Sequence, residues 1–271
     1  MNAQAFNSPC LACSSKYTCM PKELIEKLRD KKPGQGDNIS PTSNHIFLEA
    51  NSVIFHQGDP FHSIFMIKSG CVKTFSVSKN GDESLDGIYF PGEFIGLNSI
   101  AAEFYSYFAV TATSSVLCKI PYRNLQNVSS IEPSLSIHFI GAVSKQLSRE
   151  IIWRKFVTKS KMKERLIGFL LDISDRFELE AGPKSEFKLP ISMQEISYLL
   201  DMRNETLSRH ISELNKDGLI KIIKGVVTIN DRIELESMLD KNFALDELNK
   251  RNIHAKKSDF LTWFFNYLLI E

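Results

Sequence analysis

The sequence predicts an α+β chain: an antiparallel β-sandwich or barrel, then one long helix, then a C-terminal winged helix-turn-helix. Three observations carry this reading. Between Ile46 and Pro121, short β-type runs (Ser52 to His56, Ile64 to Lys68, Val72 to Ser78, Leu85 to Phe90, Val116 to Ile120) alternate with Gly58-Asp59, Ser69-Gly70, Asn80-Gly81-Asp82 and Pro91-Gly92. Such turn pairs at regular intervals end antiparallel strands. From Pro133 the pattern lengthens, with Ile137, Ile140, Ser144, Leu147 and Ile151 in alternating steps of three and four. That is a coiled-coil-like seam with one small polar position. Last, Ser192-Met193-Gln194-Glu195 opens two short helical patterns followed by an alternating, Gly-centred hairpin.

Composition narrows the class. At 271 residues, with 43% hydrophobic and 24% charged side chains, the chain is an ordinary globular protein of about two domains, neither disordered nor membrane-spanning. Its 33 Lys and Arg against 32 Asp and Glu leave a net charge of +1, so a nucleic-acid partner must be met by a local patch. The start carries no basic region followed by an apolar core, so a cytoplasmic protein is expected. The apolar stretch Phe260 to Ile270 is broken by Asn266 and is shorter than the ~20 residues of a membrane span. The expected organisation is a cysteine-rich loop and helix (1–35), a β-domain (36–132), a dimerisation helix (133–158), the winged helix-turn-helix (159–235) and a helical extension (236–271).

In the helix-turn-helix, Ile196, Leu199 and Leu200 form the buried face of the first helix, Asp201-Met202-Arg203 the turn, and residues 204–217 the second helix, stopped by Gly218. On that second helix Leu207, Ile211 and Leu214 share one face, leaving Glu205, Ser208 and Arg209 on the other. Arg209 can donate twice to a guanine edge, Glu205 can accept from a cytosine amino group, and Ser208 can serve base or phosphate. Residues Lys221 to Ile229 then form a wing for the phosphate backbone. A two-fold dimer joined at the seam through Ile140, Ser144, Leu147, Glu150 and Ile151 would set two recognition helices about 34 Å apart.

Five cysteines in a cytoplasmic chain point to metal or redox chemistry rather than disulfides. Cys10, Cys13 and Cys19 are close enough in one loop to surround a single metal, and Cys118 can return to that loop in space. By themselves these residues leave zinc, a redox switch or unengaged thiols open. Cys71, between Gly70 and Val72, reads as a buried thiol. No histidine of the six is grouped with another ligand, no Gly-rich phosphate loop appears, and no Ser-His-Asp arrangement can be argued, so an enzyme is not expected.

The string Asn204-Glu205-Thr206-Leu207-Ser208-Arg209 resembles the cyclic-AMP receptor protein superfamily, and its Glu-x-x-Ser-Arg is similar to the branch of the fumarate and nitrate reduction regulators, FNR. The resemblance covers roughly residues 10 to 235. It implies a jelly-roll of the cyclic-nucleotide-binding type, a dimer, and recognition of a TTGAT-type half-site by Glu205, Ser208 and Arg209. It also implies a 4Fe-4S cluster on Cys10, Cys13, Cys19 and Cys118 that favours the dimer without oxygen and becomes a 2Fe-2S or apo site with it. The turn Lys79 to Glu83 resembles the family's RNA polymerase contact. One departure is Arg203, which stands where the family usually has a small hydroxyl cap; arginine cannot accept from helix amides and is free for phosphate. Another is Ala102 to Ala109, which holds no arginine or lysine for a cyclic phosphate, so no cyclic nucleotide is expected. Glu150, at the edge of the seam, would repel its symmetry mate unless Arg149 or Arg154 compensates.

Overall fold

The computed structural model describes residues 44–81, 83–123, 133–181 and 186–239, with backbone alone at 44, 133–138 and 178–181. Cys10, Cys13, Cys19, Asp82, the expected first helix and the extension from Asp240 onward lie outside the described residues. Compact packing divides the chain into two units: residues up to Ser148 with Leu189–Arg203, and Arg149–Lys188 with residues from Asn204 onward.

The first unit is built on two four-stranded antiparallel sheets. One has the order β1 (Asn44–Leu48), β8 (Ser115–Pro121), β3 (Ser63–Ser69), β6 (Phe94–Ile95); the other is β2 (Val53–Phe55), β7 (Phe108–Thr111), β4 (Val72–Val77), β5 (Glu83–Tyr89). The inward residues of both sheets, among them Phe55, Phe65, Ile67, Val72, Ile95, Tyr107 and Leu117, make one core with Tyr105. The β-type runs of the sequence become β2, β3, β4, β5 and β8. Strands β1, β6 and β7 were not expected: β6 is two residues long, and β1 alternates His45 and Phe47 outward with Ile46 and Leu48 inward, too short a pattern to read locally. Gly70 is required at the β3–β4 turn, since φ is +85° and a Cβ would run into Ser115.

Helix α1 (Pro133–Lys159) follows, and its Phe139 and Ala142 pack on the outer face of the β1–β8–β3–β6 sheet beside Ile64, Met66, Phe94, Cys118 and Ile120. The expected capping box opens α3 (Met193–Leu199): Glu195 N–H donates to Ser192 Oγ, and Ser192 N–H donates to Glu195 Oε2 at 2.8 Å. The other oxygen of Glu195 takes Lys73 Nζ of β4, and α3 lies against β5.

In the second unit, α2 (Met162–Ala181) supplies the apolar face of Leu166, Phe169, Leu170 and Ile173. Helix α4 (Asn204–Lys216) buries Leu207 and Leu214. A three-stranded sheet, β10 (Ile220–Ile223), β11 (Val226–Ile229), β9 (Glu186–Lys188), and a short α5 (Arg232–Ser237) complete it.

Candidate DNA-binding face and metal centre

Helix α4 follows the turn whose Asp201 has φ +49°, a left-handed conformation that reverses the chain in a single residue. With Leu207 and Leu214 buried, the 3.6-residue period leaves Glu205, Ser208 and Arg209 exposed, and Arg203 is exposed just before the helix. Ser212 joins this face, its hydroxyl donating to the Ser208 carbonyl at 2.9 Å. The sequence reading missed Ser212, although its position four residues after Ser208 is a signal for the same face. Arg209 stays two-thirds exposed with Glu213 at 4.0 Å, because Glu213 is engaged elsewhere: His210 Nδ1 lies at 3.1 Å and Lys163 Nζ of α2 at 3.7 Å. The His210 contact, ahead of the nearby cations, holds the Glu213 carboxyl below its ordinary range. Arg209 therefore keeps its donors for another acceptor.

The wing is a two-residue hairpin. Lys224 (φ +49°) and Gly225 (φ +78°) both take positive φ between β10 and β11, the geometry whose twist matches paired strands. Lys221 and Lys224 are exposed. Asparagine and glycine are the usual residues there, so lysine at the tip carries local strain and displays its charge at the outermost point of the hairpin.

Cys118 lies in the middle of β8 and is buried. Across the sheet it stands directly opposite His45 on β1 and Met66 on β3. Residues directly opposite share a face, here the outer face bearing Ile64 and Ile120. His45 Nε2 is buried without a hydrogen-bond partner, and burial, reinforced by Lys68, pushes the imidazole pKa down. Cys71 is buried as expected, its N–H donating to Thr113 Oγ1.

The relatives of the chain place it in a family. Residues 45–131 match the family of cyclic nucleotide-binding domains, and residues 164–238 the family of Crp-like helix-turn-helix domains. Among curated proteins, the transcriptional activator protein FnrA of Stutzerimonas stutzeri is 30% identical over 83% of this chain and 90% of its own. The anaerobic regulatory protein of Pasteurella multocida is 29% identical over 83% of this chain and 81% of its own. The chain belongs to the CRP/FNR family of transcription regulators. Solved structures with the same fold include FixK2 of Bradyrhizobium japonicum (TM-score 0.63, 17% identity, 73% of this chain and 97% of that one). The regulator TTHA1359 of Thermus thermophilus is another (TM-score 0.58, 21% identity, 72% and 97%). A CRP/FNR protein is a DNA-binding regulator and not an enzyme, and among the described residues no helix is long and apolar enough to cross a membrane.

In this CRP/FNR regulator the turn after β5 closes on the chain itself. Phe90 N–H donates to Glu93 Oε2 (2.8 Å), Gly92 N–H to the Ile67 carbonyl (2.8 Å), and Gly96 N–H to Tyr107 Oη (2.7 Å). Those amides are committed to protein acceptors, and Tyr105 stacks on Phe55 at 3.8 Å inside the core. On α1 the seam side chains point outward, with Ile140 64%, Leu147 55% and Ile151 46% exposed and Ser144 and Glu150 exposed beside them. A row of large apolar side chains left open on one helix is a surface awaiting a partner.

Proposed function

We propose that this regulator binds double-stranded DNA as a homodimer at palindromic TTGAT-type sites. A 4Fe-4S cluster on Cys10, Cys13, Cys19 and Cys118 favours that dimer under anaerobic conditions. The observation that carries the cluster reading is Cys118 itself, buried on an apolar face with the unpartnered Nε2 of His45 as its cross-strand neighbour. A buried nitrogen without a partner costs about 1–3 kcal/mol, which a polar group seated against that face would offset. An apolar, water-poor shell is what a thiolate-held cluster needs, so the described residues fit the group; the other three cysteines lie outside them. The relatives' names, an anaerobic regulatory protein and FnrA, point to the same class of signal.

When bound, the cluster supplies a redox-labile cross-link among four thiolates. The chain's own residues do the rest. Ile140, Ser144, Leu147 and Ile151 close the dimer. Glu150, exposed at the edge of the seam, opposes it by facing its own symmetry mate. Arg209, Glu205 and Ser208 read base edges, while Arg203 and the wing lysines hold phosphates. The exposed turn at Lys79–Gly81 is the surface we assign to RNA polymerase. Residues 102–109 hold no cation, so no phosphate partner for a cyclic nucleotide is expected from that segment.

The test is the absorption spectrum with iron and sulfide content of protein purified without oxygen, repeated on Cys118→Ser. A broad band near 400 nm (on the order expected for thiolate–iron charge transfer), bleached by air and weakened by the substitution, is the expected result. Colourless protein, with zinc or no metal, would overturn the cluster and put a zinc or thiol redox site on the same cysteines, leaving DNA binding intact.

A further inference from the structure

Cys118, Met66 and Phe94 stand in direct register on β8, β3 and β6, so one row crosses three neighbouring strands from the buried thiol to the edge of the sheet. Among the described residues no further strand lies beside β6, and a side chain of α1 takes that place. Phe94 N–H donates to Gln146 Oε1 at 2.9 Å, and Gln146 Nε2 donates back to the Phe94 carbonyl at 2.9 Å. A primary amide offers one acceptor and one donor side by side, the same pair a neighbouring strand would present, so Gln146 satisfies both edge groups at once. Two turns before it, Phe139 meets the Phe94 ring edge-on at 5.9 Å. With Phe139 and Gln146 both held by one residue of β6, this part of α1 cannot rotate or slide without breaking a paired contact. Leu147, the next residue, belongs to the exposed seam.

We propose that Gln146 is a positioning residue that couples the site at Cys118 to the dimer seam. By gripping the Phe94 backbone it sets the rotation of α1 according to the seating of β8, β3 and β6. This rests on the cluster reading and adds the element through which the cluster acts. A shift of β8 about Cys118 is passed edge to edge by backbone hydrogen bonds, which are stiff along the sheet. It reaches α1 through an amide pair that tolerates little displacement, because two hydrogen bonds at 2.9 Å lose their alignment together. A residue that serves only as glue would behave differently, strengthening the fold equally with and without the cluster.

The experiment is a thermodynamic cycle on the full chain. Dimer dissociation constants are measured by anaerobic sedimentation equilibrium for wild type and Gln146→Leu, each with the cluster and after its removal. Iron and sulfide are counted per protomer in the same samples. The expected result is a wild-type dimer tightened tenfold or more by the cluster and a Gln146→Leu protein with the same cluster content but less than threefold tightening. An unchanged ratio in the variant overturns the role of Gln146 and leaves the cluster reading standing. A wild type that holds no cluster, or whose dimer ignores it, overturns both. If Gln146→Leu fails to fold by circular dichroism, Gln146→Met, equal in length and without the amide, gives the same reading.

Discussion

Arg149 Nη2 of α1 donates to Asp172 Oδ1 of α2 at 2.6 Å, while Arg176 Nε lies 2.9 Å from the other carboxylate oxygen. A carboxylate removed from water thus sits between two guanidiniums. Burial alone would raise its pKa, but the charges of Arg149 and Arg176 outweigh it and hold the carboxyl below the ordinary aspartate range.

Since the folded-state value is depressed, the stabilisation is complete above the ordinary aspartate value and is lost as pH falls through the folded one. The second unit should therefore weaken below about pH 4. Asp172→Asn leaves two guanidiniums facing each other and is expected to lose about 3 kcal/mol at neutral pH. Urea unfolding across a pH series checks both statements: the variant should be weaker near pH 7 and show a flatter acid limb.

The exposed face of α4 separates reading from holding. Arg209→Ala should weaken binding to a TTGAT-type site by about 1–3 kcal/mol and blur discrimination at the base pair it contacts. Lys224→Gln should weaken all sequences alike and reduce the salt slope by about one. Fluorescence anisotropy with cognate and scrambled duplexes over a salt series distinguishes the two. Equal loss on every sequence for Arg209→Ala would remove it from base readout.

Asp201 holds a positive φ of 49° in the turn before α4. Aspartate tolerates this conformation better than most residues, but glycine adopts it without a steric penalty. Asp201→Gly should therefore move the melting point by no more than about two degrees, the easier backbone being offset by the loss of the aspartate's own contacts. A drop of more than about five degrees would mean that those contacts, and not the backbone conformation, hold the turn.

The seam can be loaded in both directions. Leu147→Glu places two more carboxylates at a two-fold contact and should leave a folded monomer with weak DNA binding. Glu150→Ala removes the repulsion between the two symmetry-related carboxylates at the edge of the seam. It should favour the dimer two- to fivefold, about 0.5–1 kcal/mol, even without the cluster. Sedimentation equilibrium reads both variants, and an unchanged Glu150→Ala constant would remove the repulsion argument.

What could be read from the residues in order is what local physical chemistry decides. The Ser192–Glu195 capping box, the α4 stripe of Leu207 and Leu214 and the hairpin about Lys224-Gly225 each close within one or two turns of chain, so spacing and side-chain chemistry suffice. The exposed faces they imply, Glu205, Ser208 and Arg209 on α4 and the apolar seam on α1, follow from the same helical period. Tertiary pairing decided the rest. That His45 faces Cys118 depends on β1 pairing with a strand some seventy residues away, on the order of separations that leave no periodic trace. That Gln146 serves as the edge of a sheet, and that Arg149 reaches Asp172, depend on which helix face meets which partner. Local pattern assigns a residue to a face, and only long-range packing assigns that face its neighbour.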